Sequence, residues 1–254
     1  MNPSQKIFVS FVIPAYNEEA MLGDCLESIQ KQVIGRNDVE IIVVNNASTD
    51  KTKQVAESYG VHVVDEPHKG LVWARKAGFD ATTGRLVANI DADVVLPDDW
   101  FKKLEYYFKK YPNILALSGP HIYRDMSFFS RMCTRFFYII GYAFDRISHY
   151  LFNKGAMLQG GNFVTTRQSI IDIGGYDTSI TFYGEDTDIG SRISKIGKIL
   201  WTFNFPVYAS SRRMKGEGVL VMGLKYAKNH IATTFLGKPA TMEYIDIRPG
   251  NNKK

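Results

Sequence analysis

Asp91 and Asp93 stand one residue apart in Asn89-Ile90-Asp91-Ala92-Asp93-Val94-Val95, between the apolar runs 86–88 and 94–96. A carboxylate beside apolar sequence needs a cation, because an uncompensated charge is costly to remove from water. Two kinds of cation would serve. One is a Lys or Arg set opposite. The other is a divalent metal, which takes oxygen ligands. Two further polar clusters follow apolar runs in the same manner: Tyr16-Asn17-Glu18 and Asn45-Asn46.

The elements that would position these clusters follow from periodicity. Short apolar runs at 7–13, 39–44, 61–64 and 85–90 read as strands. Helical patterns lie between them. Asn17 is expected to cap the first helix, with Glu18 and Glu19 in its first turn. A second helix should end near Tyr59, and a third spans 69–82. Strand and helix alternate, which predicts a parallel sheet with helices on both faces. In such sheets ligands bind at the carboxyl ends of strands, where all three clusters stand. A helix over 97–111 and strands at 114–118, 163–166 and 199–203 are expected beyond.

Segment 126–152 places Phe129, Met132, Cys133, Phe136, Phe137, Ile140, Phe144, Ile147 and Leu151 at helical spacing, with Arg131, Arg135 and Arg146 among them. Three readings stay open. It is an amphipathic helix on the core, a basic aromatic helix in a membrane interface, or a dimer face or acceptor lid. The tail 248–254 is expected to be disordered.

Bulk properties narrow the class. The 254 residues can bury a full core, and 45% hydrophobic with 22% charged residues describes an ordinary globular chain. A net charge of +5 fits an anionic substrate or an anionic membrane surface. No RNP-like motif or long basic tract points to nucleic acid. Cys25 and Cys133 form no metal-binding spacing, and two distant cysteines favour a reducing compartment. No signal-peptide core and no apolar run of about 18 residues is visible. The expected location is cytoplasmic, with peripheral contact on the inner membrane face as an option.

Six pieces in order complete the pattern: VIPAYNEE, VVNNASTDKT, KGLVWARKAGFDATTG, NIDADVV, GGNFVTTRQSIIDIGGYD and GEDTDIGSRISKIGK. Together they cover about residues 7 to 205 and resemble the family 2 inverting glycosyltransferases of the GT-A fold. The resemblance implies an α/β fold with a mostly parallel central sheet. A Rossmann-like nucleotide-sugar half (1–119) would join an acceptor half (120–254) as one continuous domain. It implies transfer of a sugar from a nucleotide-sugar donor, UDP-linked by preference, to a carbohydrate or lipid-linked acceptor in glycan, polysaccharide or glycolipid synthesis.

Roles carry over residue by residue. In the DxD motif, Asp93 would ligate a divalent cation (Mn2+ or Mg2+), and Asp91 the ribose or a metal-bound water. Pro14, Ala15, Tyr16 and Glu18 would line the nucleoside pocket. Asn45 stands where the family usually has Asp, which loosens the expectation of uracil. Lys69, Arg212 and Arg213 would meet the diphosphate, the arginines from a mobile loop. Gly160, Gly161 and Asn162 would border the sugar and acceptor. Asp186 would be the general base, with Glu185 orienting it or the acceptor. Relatives often carry a His near 210–218; this chain has none there. Each assignment has a plainer counterpart: turn capping for Asp91 and Asp93, dipole compensation for Glu18 and Asp186, an ion pair for Arg75, solvated surface for Lys69 and the arginines. GDP- or dTDP-sugar transfer to polyprenyl phosphate, a non-catalytic nucleotide-sugar-binding module and a sugar-1-phosphate nucleotidyltransferase are the competing functions. IPAYNEEAML lacks the Gly-rich basic loop of the last. A homodimer is also allowed.

Overall fold

The computed structural model describes residues 7–152, 157–180, 184–236 and 240–241. The first half alternates as expected: β1 (Val9–Ala15), α1 (Leu22–Gln30), β2 (Val39–Asn45), α2 (Thr52–Ser58), β3 (His62–Asp65), α3 (Leu71–Asp80) and β4 (Leu86–Ile90). Then come β5 (Val94–Val95), α4 (Trp100–Lys110), β6 (Ile114–Ser118), β7 (His121–Ile122) and the long α5 (Phe128–Phe152). The remainder is β8 (Asn162–Thr166), α6 (Arg167–Asp172), α7 (Glu185–Ser194), β9 (Lys198–Trp201), β10 (Val207–Ala209), α8 (Arg212–Glu217) and α9 (Val219–Leu236). The tail 248–254 lies outside the described residues.

Seven strands form one sheet in the order β3-β2-β1-β4-β8-β6-β9. It is parallel except at β8, which runs antiparallel to both β4 and β6. The alternation of β1 explains its central place. Val9, Phe11 and Ile13 enter one core with α1 and α4, while Val12 enters the other beside α3. A strand buried on both faces has to be apolar throughout, which is what periodicity reads there. A second sheet, β5-β10-β7, stands beside it.

The register creates the cleft. β1 pairs with β2 as far as Ala15 and Asn45, but with β4 only as far as Val12 and Asn89. Beyond that point β1 and β4 no longer pair, so their carboxyl ends enclose an opening.

Two expectations are corrected. Asn17 is not a helix cap. It adopts a left-handed φ of 50°, its Oδ1 accepts from Thr49 N at 2.8 Å, and α1 begins only at Leu22. The loops after β1 and β2 tie to one another, and those bonds hold residues 16–21 out of the helix. The core-helix reading of α5 also fails. Phe129, Met132, Phe136, Ile147 and Leu151 are exposed, whereas Thr134, Asp145 and Ser148 are buried. Tyr138 and Tyr142 anchor the helix on Trp201 of β9. Periodicity reveals an apolar stripe but not whether anything covers it.

Gly78 lets α3 lie directly on the sheet, since a Cβ there would overlap Val12 Cγ1 and sit 2.9 Å from Val44 Cγ2. Gly78→Val should therefore cost about 1–3 kcal/mol from overpacking. Urea denaturation checks this; an unchanged midpoint would contradict the packing.

Candidate active site

Arg75 is the centre of the site. It sits on α3, fully buried, among Val72, Ala74, Gly78 and Phe79. Its Nη2 donates to Asp91 Oδ1 at 3.0 Å and its Nε to Glu185 Oε1 at 2.9 Å. Nη1 reaches Asn89 Oδ1 at 3.4 Å, and Tyr176 donates to that same oxygen at 3.1 Å. The guanidinium thus joins the end of β4 to the start of α7. Cys25 Sγ reaches the Asp91 carbonyl at 3.6 Å from the other core. Gly161, at φ +79°, passes Asp91 so closely that a Cβ would overlap Asp91 Oδ2. Only glycine meets both the left-handed backbone and that approach.

Asp186 is held differently. Its Oδ2 accepts from Gly160 N at 2.8 Å and its Oδ1 from Thr187 N at 2.8 Å. Arg192 fixes α7 itself, pairing with Asp188 and donating to the carbonyls of Ile173 and Gly175. Glu185 is buried, and its Oε2 has no partner among the described residues. Its pKa is pushed up from 4.5 to about 7. Burial is the largest cause; Arg75 pulls the other way, and Asp186 and Asp91 add to the rise. Glu185 Oε1 thus contacts Arg75, which in turn contacts Asp91.

Arg212 bridges the opposite wall. Its Nη2 donates to both Glu18 oxygens, at 3.0 and 2.8 Å, and to Asp93 Oδ2 at 3.0 Å. Asp91 and Asp93 thus find their cations within the protein, Arg75 for the one and Arg212 for the other. The expected mobile loop is instead the first turn of α8.

One cavity of about 460 Å³ collects Pro14, Glu18, Asp91, Asp93, Gly160, Glu185, Asp186, Arg212 and Arg213 in its lining. Other expected residues stand elsewhere. Asn45 donates to Asp65 Oδ1 at 2.8 Å. Lys69 donates to the Tyr16 hydroxyl at 2.8 Å, with its Nζ 4.0 Å from the Tyr16 ring centroid. Ala15 and Gly161 are not among the lining residues. Asn162 points into the protein: it donates to the carbonyls of Gly119 and Phe205 and accepts from Trp100 Nε1 at 3.2 Å. It braces the chain beneath the cleft rather than lining it.

Sequence reasoning treats Arg75 only as an ion-pair partner and misses His121 and His230. Both histidines line the cavity although neither lies in 210–218. His121 Nε2 is shielded and unpartnered among the described residues, and burial lowers its pKa against the pull of Asp91, Asp93 and Asp186. Only the charged residue on the otherwise apolar face of α3 offered a signal, for Arg75.

The carboxylates fit a hard divalent cation in part. Among the described residues no group of three or more His, Cys, Asp or Glu could hold a metal. Asp91 and Asp93 supply two carboxylates, and Mg2+-type sites often use one or two with water and substrate phosphates completing the shell. The residues therefore suit a cation that arrives with a diphosphate.

Comparison with known proteins bears on the family and the fold. The model of glycosyl transferase family 2 matches residues 10–174. The chain is 31% identical over 124 residues to EpsJ, an uncharacterized glycosyltransferase of Bacillus subtilis (strain 168); the match covers 47% of this chain and 35% of that one. The chain spans about a third of the length of curated relatives such as this one. In structure it resembles glucosyl-3-phosphoglycerate synthase from Mycobacterium tuberculosis in complex with Mn2+, UDP-glucose and phosphoglyceric acid. There the TM-score is 0.64 at 21% identity, covering 92% of this chain and 81% of that one. The mannosyltransferase PcManGT from Pyrobaculum calidifontis, in complex with GDP-Man and Mn2+, gives 0.63 at 19% identity, with 86% and 64% covered. At such identities the structural likeness establishes the GT-A fold alone.

Two outcomes test the site. Arg75→Met leaves Asp91 and Glu185 without their buried cation and should cost about 3–5 kcal/mol in urea denaturation. The Glu185 shift also sets a pH dependence. An acid with a raised folded pKa binds its proton better folded than unfolded. Its contribution to stability is complete below 4.5 and is lost as pH rises to about 7. Thermal melts across that window should show the fall in the wild type and its absence in Glu185→Gln. Parallel profiles for the two proteins would contradict the assignment.

Proposed function

The chain belongs to glycosyl transferase family 2, and on that premise we propose that it moves a sugar from a UDP-linked donor to an acceptor hydroxyl with inversion at the anomeric carbon. The observation that carries this reading is Asp186. Two backbone N–H groups orient it in the same cavity as Asp91 and Asp93. A base held in this way can take the acceptor proton while the hydroxyl oxygen attacks the anomeric carbon and the nucleoside diphosphate leaves.

The other residues divide the remaining tasks. Pro14, Ala15, Tyr16, Glu18 and Asn45 receive the nucleoside at the ends of β1 and β2. Asn45, whose Nδ2 donates to Asp65, keeps a second amide proton for a base edge. Lys69, Arg212 and Arg213 draw the diphosphate in, Arg212 exchanging Glu18 and Asp93 for phosphate oxygens. Gly160 gives the sugar close access to the backbone, and Gly161 makes room for Asp91 beside it. A bound Mn2+ or Mg2+, held by Asp93 and Asp91 with diphosphate oxygens, would neutralise charge on the leaving group. The Mn2+ and nucleotide sugars in the mycobacterial and Pyrobaculum structures support both the cation and the donor class. Products of this kind enter glycan, polysaccharide or glycolipid synthesis.

Among the described residues no helix is long and apolar enough to cross a membrane. The exposed apolar stripe of α5, with exposed Arg131 and Arg135, supports peripheral contact with an anionic bilayer instead.

Asp93→Ala should abolish metal-dependent UDP binding by calorimetry and leave the circular dichroism spectrum unchanged. Asp186→Asn keeps shape but removes basicity, so turnover should fall about 10²- to 10⁴-fold with donor affinity nearly constant. Glu185→Gln should be milder. Wild-type turnover in Asp186→Asn, with Glu185→Gln inactive, would exchange the two roles.

A further inference from the structure

Arg212 Nη2 marks a point on which three carboxylate oxygens converge. Glu18 Oε1 and Oε2 lie 3.0 and 2.8 Å from it, and Asp93 Oδ2 lies 3.0 Å from it. The two carboxylates belong to different segments, and each segment is fixed by its own backbone. Glu18 follows β1; its N–H donates to Thr52 Oγ1 at 2.8 Å, and its carbonyl accepts from Met21 N at 3.1 Å and Leu22 N at 3.0 Å. Asp93 precedes β5, and its carbonyl accepts from Ser210 N at 3.2 Å. None of these bonds involves the guanidinium, so departure of Arg212 leaves the carboxylates facing one another.

Burial is unequal across the bridge. The side chains of Arg212 and Asp93 are 30% and 27% exposed, but that of Glu18 only 6%. A diphosphate that drew Arg212 away would take its cation from a buried carboxylate, which is strongly unfavourable unless another cation arrives. Arg75 is not available, because it is fully buried with Asp91 and Glu185. Nor is Asp91 free to turn toward the gap: its Oδ1 stays on Arg75, and its Oδ2 packs beside Gly161. A hard divalent ion meets the requirement, since it takes carboxylate oxygens together with phosphate oxygens and water.

We propose that Glu18 is a ligand of the divalent cation, beside Asp93, and that Arg212 fills the cation's place until a diphosphate draws it off. This rests on the transferase reading above and gives Glu18 a task besides its place beside the nucleoside. Arg212 and the metal compete for the same oxygens. Removing the arginine should therefore admit the metal with no nucleotide present.

Mn2+ titration of the full chain without nucleotide tests this, read by loss of the free-ion electron paramagnetic resonance signal. Arg212→Met should bind Mn2+ ~10-fold or more tightly than the wild type, because a competing charge is gone from both carboxylates. Adding Glu18→Gln keeps the shape but removes the ligand charge, and should cancel that gain, again ~10-fold. A Glu18 that merely anchors Arg212 predicts the opposite, an undiminished gain in the double variant. Thermal melts supply a readout even where Arg212→Met is less stable: Mn2+ should raise its melting temperature more than that of the wild type or of the double variant. Wild-type Mn2+ affinity in Arg212→Met, or an equal gain in the double variant, would overturn the proposal. Titration of the wild type with UDP separates this from the transferase reading. UDP binding alongside either of those results overturns the role of Glu18 alone. The expected Mn2+ gain without UDP binding, with or without Mn2+, overturns the transferase reading alone.

Discussion

A fully buried guanidinium organises this molecule. Arg75 has no access to water, so its charge must be met within the protein. Asp91 and Glu185 meet it, from the end of β4 and the start of α7, two segments 94 residues apart in sequence. Neither carboxylate could hold its place without the cation, nor the cation without them. The sheet, the α3 packing at Gly78 and the α7 anchor through Arg192 all serve to bring these three charges together. Removing Arg75 leaves the Glu185 carboxyl buried without a cation, which is why the site and the fold are difficult to separate energetically.

The second arginine is of another kind. Arg212 is partly exposed and stands at the first turn of a short helix, bridging Glu18 and Asp93 across the cleft. The Arg212–Asp93 pair is partly exposed, so it is screened and exchanges partners at small cost. Arg75 is suited to fixing geometry and Arg212 to yielding it. A diphosphate with its cation would bring both a new partner for Arg212 and a replacement charge for Asp93.

The unequal roles of the two halves follow from burial. The strands 9–15, 39–45 and 86–90 lie inside, where each face must be apolar and the pattern is constrained. The helices α5 and α9 instead leave apolar faces outward and polar groups inward, with Asp145, Asn229 and Thr233 buried between them.

Much of this was legible in the sequence. Apolar runs located β1, β2, β4 and β6 within a few residues, because a strand's burial is written in its own side chains. The DxD pair, Glu18 and the Gly184-Glu185-Asp186 turn announced themselves as charges at strand and helix ends. The ordered motifs specified the GT-A fold. Tertiary structure decided the rest. Asn17 left its expected cap because Thr49, 32 residues away, offered better bonds. Asn162 turned inward toward the carbonyls of residues 119 and 205. His121 and His230 entered the cavity from segments with no motif of their own. Local periodicity records which face of an element is apolar, but only the packing of distant segments determines what that face meets, and so which charges are paired.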